Sequence, residues 1–238
     1  MPLPVVIPAA GLGSRLGALT RDCPKELLTL GGQPVLHGAG LELEAAGITD
    51  AVVVTSPSKP GIDAWARAHD LRTVVQPAPL GVFDAVARAR IEAPRFVVLF
   101  PDFVHLPDQT ALRTLLVAAE AVPAEASVYG IVRRAAAHAV RMGPAAHVSG
   151  VGDGLVQIAR VGPAQPTGLH TTFAELRGTA HSRRLAGGDD GITDLLQGLA
   201  DDGLLYGVEL PGTILDIGIP AGYADAAQRF AHGARWRR

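Results

Sequence analysis

A glycine-rich stretch close to the N-terminus carries groups suited to binding phosphate. Gly11, Gly13 and Ser14 follow a short apolar run, and Arg15 comes directly after them. Glycines let backbone N–H groups approach a phosphate closely, a hydroxyl adds a donor, and a guanidinium binds phosphate oxygens in pairs. We therefore expect phosphate to bind at the Arg15 side chain and along one short run of residues: Ala10, Gly11, Leu12, Gly13 and Ser14.

Lys25 supplies a second positive charge ten residues after Arg15. The chain contains only two lysines, Lys25 and Lys59. A lysine ammonium is a compact point charge, whereas arginine presents a planar fork, so the lysine at position 25 suggests a site that needs a compact cation. The stretch is not a dinucleotide fingerprint, because Leu16 replaces the third glycine, and it lacks the G-K-[ST] of a P-loop.

The first half of the chain alternates apolar runs with helical patterns. Strands are expected at 3–7, 51–55, 73–76 and 96–100. Helices are expected between and after them, at 34–46, 62–69, 83–92 and 111–121. Uninterrupted apolar runs separated by helices indicate parallel strands covered on both faces. Residues 1 to about 132 are therefore predicted to form a doubly wound, mainly parallel (Rossmann-like) α/β core. Ligands of such sheets bind outside the carboxyl ends of the strands, so the loops after residues 7, 76 and 100 should share one crevice.

The second half of the chain is less regular. Residues 133–191 are rich in Gly, Pro, Thr and His and are predicted to form a small irregular lobe that binds an acceptor, with short strands at 145–149 and 155–159. Residues 192–238 are predicted to return to the core. They should add a helix at 192–200, a strand at 204–210 and a closing helix at 221–231. One domain of 238 residues is therefore expected.

Composition excludes several classes of protein. The net charge of −2 argues against a general nucleic-acid surface. Cys23 is the only cysteine, so neither an internal disulfide nor a thiolate metal cluster can form. No run approaches the ~20 apolar residues of a membrane span, and the N-terminus lacks the basic flank of a secretory signal. We expect a cytoplasmic protein that binds neither nucleic acid nor membrane.

The glycine-rich stretch and its continuation resemble the opening of the sugar-phosphate nucleotidyltransferases, which include glucose-1-phosphate uridylyltransferases and thymidylyltransferases. The family pattern is G-x-G-[ST]-R-L-x-P-x-T followed by P-K, and only Ala18 departs from it, where the family usually has Pro. The resemblance is dense up to about residue 104 and returns at 189–228. The stretches that carry it best are 11–20, 24–28 and 31–36.

The resemblance implies a reaction and a set of roles. A nucleoside triphosphate would be joined to a phosphorylated small molecule, such as a sugar 1-phosphate, with release of pyrophosphate and with Mg²⁺ as cofactor. Gln76 and Gly81 would contact the nucleobase, which favours UTP or dTTP and leaves CTP open. Asp102, which follows an apolar strand, and Asp216 would bind Mg²⁺, which prefers one or two carboxylates together with phosphate oxygens. Family members often form dimers or tetramers, so a homo-oligomer is an open expectation.

The middle of the chain departs from the family pattern. The usual E-K-P lysine and S-N motif are missing, and Arg160 stands where the lysine would contact the sugar phosphate. His170, together with His181, is a candidate for acceptor binding, and Asp194 is a candidate helix cap or sugar-pocket residue. These departures keep two alternatives open: a cytidylyltransferase that uses a non-sugar phosphate or phosphonate, and a non-catalytic nucleotide-binding regulator. The sequence leaves the acceptor, the pathway and the oligomeric state undecided.

Overall fold

The computed structural model describes residues 3–108, 110–131, 147–152, 155–160, 170–174 and 190–237. Within these ranges, none of the helices combines the length and the apolar character that a membrane crossing requires. The strands, numbered along the chain, are β1 (Val5–Pro8), β2 (Thr29–Leu30), β3 (Gln33–Pro34), β4 (Ala51–Thr55), β5 (Arg72–Val75), β6 (Arg95–Leu99), β7 (Phe103–Leu106), β8 (Ser127–Ile131), β9 (His147–Gly152), β10 (Leu155–Arg160), β11 (His170–Ala174), β12 (Leu205–Glu209) and β13 (Thr213–Asp216).

Helices cover the sheet and supply short turns near its edge. The α-helices are α1 (His37–Ala46), α2 (Pro60–Ala68), α3 (Val82–Ala89), α4 (Ala111–Glu120), α5 (Asp190–Asp201) and α6 (Pro220–Ala231). Two 3₁₀ helices, Ser14–Thr20 and Lys25–Leu27, lie between β1 and β2. Nine strands form one sheet in the order β5-β4-β1-β6-β11-β8-β12-β10-β9. Only β10 and β11 run against the direction of the other seven. The predicted α/β fold with a mainly parallel sheet is therefore confirmed.

Alternating side chains of β1 enter two separate apolar cores. Val5 and Ile7 pack on one face of the sheet with residues of α1, α2 and α4. Val6 packs on the other face with residues of α3 and α5. Because neighbouring residues of a strand point to opposite faces, a strand covered on both sides must be apolar throughout. This two-sided burial explains the uninterrupted apolar runs of β1, β4 and β6.

A small separate ribbon connects the end of the chain to the edge of the main sheet. β7 and β13 pair antiparallel, and the register places Asp216 opposite Phe103. A third apolar core beneath this ribbon contains Val104, Leu215 and Phe230 of α6. The sequence pattern did not predict either of these four-residue strands. Their pairing brings the segment around Asp216 beside the segment that follows β6.

Within the segment 133–191, residues 147–152, 155–160 and 170–174 form three strands of the main sheet, and β11 lies between β6 and β8. We predicted an irregular lobe here with short strands at 145–149 and 155–159, and β9 and β10 lie close to those two positions. His-Thr-Thr-Phe-Ala in β11 contains two β-branched residues and an aromatic one, which suit a pleated sheet. The described part of this segment therefore extends the core sheet.

Candidate functional site

The carboxyl ends of four neighbouring parallel strands meet at one edge of the sheet. β1 leads into the glycine loop, which we define as residues 9–15, and β4 leads into the turn that holds Lys59. β5 is followed by Gln76, and β6 is followed within three residues by Asp102. Ligands of parallel α/β sheets bind outside this edge.

Two unusual glycine conformations shape the glycine loop and the 3₁₀ helix after it. Gly13 has φ 68° and ψ 21°, in the left-handed region, and its carbonyl accepts hydrogen bonds from Leu16 N (3.0 Å) and Thr20 Oγ1 (3.1 Å). Gly17 has φ 56° and ψ −120°, which non-glycine residues rarely adopt. These turns leave Ser14 and Arg15 exposed. No acceptor for the Arg15 guanidinium is found in the described part of the chain.

Lys25 forms a short ion pair with Asp102. The distance between Lys25 Nζ and Asp102 Oδ2 is 2.5 Å, and both side chains are largely buried. Burial opposes the ionised form of Asp102, but the Lys25 ammonium outweighs it, so the pKa of this carboxyl lies below its ordinary value. Burial likewise opposes the charge of Lys25, but Asp102 and Glu26 raise the pKa of Lys25 above its ordinary value. The pair is therefore fully charged at neutral pH.

Gly218 lies at the point where the acidic and basic side chains converge. A Cβ atom added at Gly218 would be 2.9 Å from Asp102 Oδ2, 2.9 Å from Asp216 Oδ1 and 3.1 Å from Arg15 Nη2. Because both oxygens lie 2.9 Å from the same point, the distance between Asp102 Oδ2 and Asp216 Oδ1 cannot exceed twice 2.9 Å. The Gly218 N–H also donates to Asp216 Oδ1 at 2.8 Å. Contacts this short mean that a side chain at position 218 would displace these groups, so glycine is the residue that fits there.

The electrostatics of this cluster favour a bound cation. The pKa of Asp216 is raised, first by burial and then by the negative charge of Asp102. Two neighbouring carboxylates suit Mg²⁺, which completes its shell with phosphate oxygens and water. Across the described residues, no group of three or more His, Cys, Asp or Glu side chains that could hold a metal is found. The residues present therefore fit a cation that shares its ligands with a substrate, rather than a closed protein cage.

Lys59 is the site residue that the sequence analysis missed. Its Nζ donates to Ala9 O at 2.8 Å, to Gly11 O at 2.5 Å and to Glu26 Oε2 at 2.9 Å. Burial lowers the pKa of Lys59 and raises that of Glu26. The available signal was that this lysine, one of only two, follows the carboxyl end of a predicted strand.

Gln76 is held by a chain of hydrogen bonds with α3. Its Nε2 donates to Gly81 O at 2.9 Å and to Asp84 Oδ2 at 2.8 Å. Asp84 in turn accepts from Arg88 Nε at 2.6 Å and Nη2 at 3.1 Å, and the hydrogen bond from Arg88 lowers the pKa of Asp84. Both acceptors lack a proton, so the amide end that faces them must be the nitrogen. The four-residue spacing of Asp84 and Arg88 on a predicted helix was the sequence signal for this link.

The candidate acceptor residues are placed only by their backbone. His170 begins β11 opposite Leu99, which places its backbone beside the carboxyl end of β6. Arg160 ends β10, and the backbone of β10 lies four strands away from β6 in the sheet order. Asp194 lies in the first half of α5. His181 lies outside the described residues, so these acceptor roles remain predictions.

Comparison with known proteins places this geometry in a family. The family described as MobA-like NTP transferase domain matches residues 5–197. A UTP–glucose-1-phosphate uridylyltransferase of Haemophilus ducreyi is 43% identical over 73 residues, 30% of this chain and 25% of that protein. The Escherichia coli K12 protein of the same name is 47% identical over 58 residues, 24% of this chain and 19% of that protein. The matched region thus spans about a quarter or less of these two relatives.

A solved structure extends the likeness to the whole fold. A UDP-glucose pyrophosphorylase complexed with UDP-glucose has a TM-score of 0.80 and 19% identity, and the match covers 98% of this chain and 99% of that one. At this identity the likeness shows the fold alone. The family match covers well over half of the chain and includes the glycine loop, Lys25, Gln76 and Asp102. The chain belongs to the MobA-like NTP transferase domain family.

Proposed function

We propose that this protein is a nucleotidyltransferase that joins a nucleoside triphosphate to a phosphorylated small molecule and releases pyrophosphate. The observation that supports this most directly is the convergence on Gly218 of Arg15, Asp102 and Asp216, with Lys25 bonded to Asp102. Two cationic and two acidic side chains therefore lie beside a glycine loop at the ligand-binding edge of the sheet. This set suits a reaction between two anions.

Charge neutralisation and positioning supply the catalysis in this proposal. An oxygen of the acceptor phosphate attacks the α-phosphorus of the nucleotide, and the bond to the β-phosphate oxygen breaks. Arg15 and the N–H groups of residues 11–14 hold the departing pyrophosphate, and Lys25 stabilises the charge at the α-phosphate. The acceptor phosphate is already ionised, so neither a general base nor a covalent intermediate is required. The protein's main task is to hold the two anions close together and in line.

Asp102 and Asp216 would hold Mg²⁺ in this proposal. When bound there, the ion would neutralise oxygens of the α-phosphate and of the acceptor phosphate. The closeness of the two carboxylate oxygens, both within 2.9 Å of one point beside Gly218, supports this assignment. The positive charges of Lys25 and Arg15 partly balance the same acidic pair: they help to lower the pKa of Asp102 and oppose the rise in the pKa of Asp216.

The named relatives favour UTP and a sugar 1-phosphate as the substrates. Both relatives are named as enzymes of UTP and glucose 1-phosphate, and the sequence around Gln76 and Gly81 favours UTP or dTTP by resemblance. The acceptor is less constrained, because the E-K-P lysine and the S-N motif are missing from the middle of this chain. We therefore propose a sugar 1-phosphate or a similar phosphorylated small molecule as the acceptor.

Pyrophosphate release tests this function. Each common nucleoside triphosphate is incubated with Mg²⁺ and a panel of sugar phosphates, alcohol phosphates and phosphonates, and pyrophosphate is measured. We expect release with at least one pair and its loss in Asp102→Asn and Gly218→Ala, because an added methyl group would lie 2.9 Å from both carboxylates. Arg113→Met, on the exposed side of α4, is the matched control and should remain active. Tight nucleotide binding without pyrophosphate release across the panel would instead support a non-catalytic regulator.

A further inference from the structure

Lys59 is fully engaged beneath the glycine loop. Only 6% of this residue is exposed, and its ammonium has three acceptors: Ala9 O, Gly11 O and Glu26 Oε2. A lysine ammonium has three hydrogens, so each can be matched to one acceptor. None is left for a substrate, and Lys59 is therefore not placed to bind phosphate itself.

The two backbone contacts of Lys59 fix the orientation of the loop amides. In a planar trans peptide the carbonyl of one residue and the N–H of the next point in opposite directions. When Lys59 holds the carbonyls of Ala9 and Gly11, the N–H groups of Ala10 and Leu12 must point away from it. No acceptor for either N–H is found among the described residues. Ala10 is only 5% exposed, so this part of the loop backbone is packed into the protein, where a donor N–H favours a partner.

The third contact joins the loop to the catalytic lysine. Glu26 is fully buried, follows Lys25 directly in the chain, and accepts from Lys59 through Oε2. Its backbone carbonyl also accepts from Leu36 N at 2.8 Å, which ties this turn to the start of α1. Lys59 therefore fixes the glycine loop and the Lys25 turn to one another.

We infer that Lys59 is a positioning residue for nucleotidyl transfer. It holds the carbonyls of Ala9 and Gly11 so that the N–H groups of Ala10 and Leu12 face the triphosphate, and through Glu26 it holds Lys25 at the α-phosphate. This inference rests on the proposed function, because it takes the glycine loop as the triphosphate site.

Binding of inorganic tripolyphosphate to wild type and variants, measured by calorimetry, tests this role without the reaction. We expect Lys59→Met to weaken tripolyphosphate binding at least ~10-fold and to raise the KM for the nucleotide, with little change in the KM for the acceptor. Arg113→Met removes one exposed positive charge elsewhere and should bind tripolyphosphate like the wild type. A merely structural role would lower the folded fraction without this split between the two KM values.

A second variant addresses the case in which Lys59→Met fails to fold. Lys59→Met leaves the Glu26 carboxylate buried and unpaired, whereas Lys59→Met with Glu26→Gln removes both charges. We expect the double variant to regain a cooperative unfolding transition and still to bind tripolyphosphate at least ~10-fold more weakly. A folded double variant with wild-type tripolyphosphate affinity would overturn the inference.

The wild-type protein provides a direct reading of the two amides. In ¹H–¹⁵N spectra, the Ala10 and Leu12 amide signals should shift as tripolyphosphate saturates the site. If neither signal moves at saturation, the inference fails, whatever the variants do. Failure of the proposed function is a separate result, since it would show as no pyrophosphate release by the wild type with any substrate pair.

Discussion

The two lysines of this chain each pair with a carboxylate, and the two pairs differ in what they leave available. Lys25 and Asp102 are 2.5 Å apart at the edge of the crevice, and Asp102 is the acceptor found for Lys25 in the described part of the chain. Lys59 and Glu26 are 2.9 Å apart in the interior, where Lys59 has three acceptors. Lys25 thus has hydrogens to offer a substrate, whereas Lys59 has none.

The two lysines are of one residue type, so it is the number of hydrogen bonds that each ammonium already makes that separates the reacting lysine from the supporting one. Both pairs would look alike in a list of ion pairs. Burying the interior pair costs desolvation, which the three hydrogen bonds of Lys59 offset, so we expect its loss to lower stability. In the crevice pair, Lys25 keeps unused ammonium hydrogens next to two carboxylates, so we expect loss of this pair to lower the reaction rate.

The largest expected effect comes from breaking the interior pair. Lys59→Met should lower the free energy of unfolding by about 3–5 kcal/mol, because the buried Glu26 carboxylate loses its partner. Urea unfolding measures this, and the added Glu26→Gln change should restore most of the loss. If Lys59→Met were as stable as the wild type, the two pairs would not differ in the way proposed here.

Breaking the crevice pair should give the next largest effect, and in a different quantity. Lys25→Ala should lower kcat by roughly 10²–10³, the usual cost of one lost group that stabilises transition-state charge. The change in unfolding free energy should be much smaller than for Lys59→Met, because Arg15 remains beside the acidic pair. Steady-state kinetics and urea unfolding of the same preparation check both statements. A kcat loss of ten-fold or less would refute the role assigned to Lys25.

Glu42 shows what a buried carboxylate does without a lysine. It is 2% exposed and accepts hydrogen bonds from the N–H groups of Ala111 (3.3 Å) and Leu112 (2.7 Å), which start α4. Burial raises the pKa of Glu42 to about 7. The folded protein therefore holds this proton more tightly than the unfolded chain, so the contribution of Glu42 to stability is fully present below about pH 4.5 and is lost as the pH rises to about 7.

The Glu42→Gln variant isolates this pH dependence. Glutamine cannot ionise, so the part of the decline due to Glu42, about 2–3 kcal/mol, should be missing from the variant. Urea unfolding of both proteins at pH 5 and pH 8 gives the difference, and changes at other titrating groups cancel between them. Parallel pH profiles for the two proteins would show that Glu42 does not titrate in this range.

Sequence reasoning reached the local parts of this molecule and missed the contacts between distant segments. The glycine loop and the strands β1, β4 and β6 were predictable because their residues signal structure by local pattern. The ribbon of β7 and β13 was missed because four-residue strands with no turn between them carry almost no pattern. That ribbon is what brings Asp216 to Asp102. The resemblance to a known family could name both acidic residues, but not the close packing of both carboxylates against Gly218.

Lys59 was missed for a related reason. Its three acceptors come from residues 26 and 9–11, and two of them are backbone carbonyls. Every residue type has a backbone carbonyl, so a contact with one cannot be recognised from a sequence motif. The rarity of lysine was visible in the sequence and applied equally to Lys25 and Lys59. Only the structure shows that each ammonium hydrogen of Lys59 has an acceptor, whereas Asp102 is the acceptor found for Lys25 among the described residues.

The third pair, Asp84 with Arg88, extends the comparison to the surface and gives the smallest expected effect. Both side chains are partly exposed, so the pair should add little to stability. Its effect passes through Gln76, whose NH₂ group is occupied by Gly81 O and Asp84, leaving only the carbonyl oxygen to meet a base. A carbonyl oxygen accepts from the N3–H of uracil and repels the N3 lone pair of cytosine.

Asp84→Ala frees the amide to turn, so the preference for UTP over CTP in kcat/KM should fall by about 3–10-fold. Asp225→Ala, in the exposed Asp225–Arg229 pair of α6, is the matched control and should leave the ratio unchanged. An unchanged ratio in Asp84→Ala as well would mean that Gln76 does not read the base through its carbonyl oxygen, and that this surface pair has no part in substrate choice.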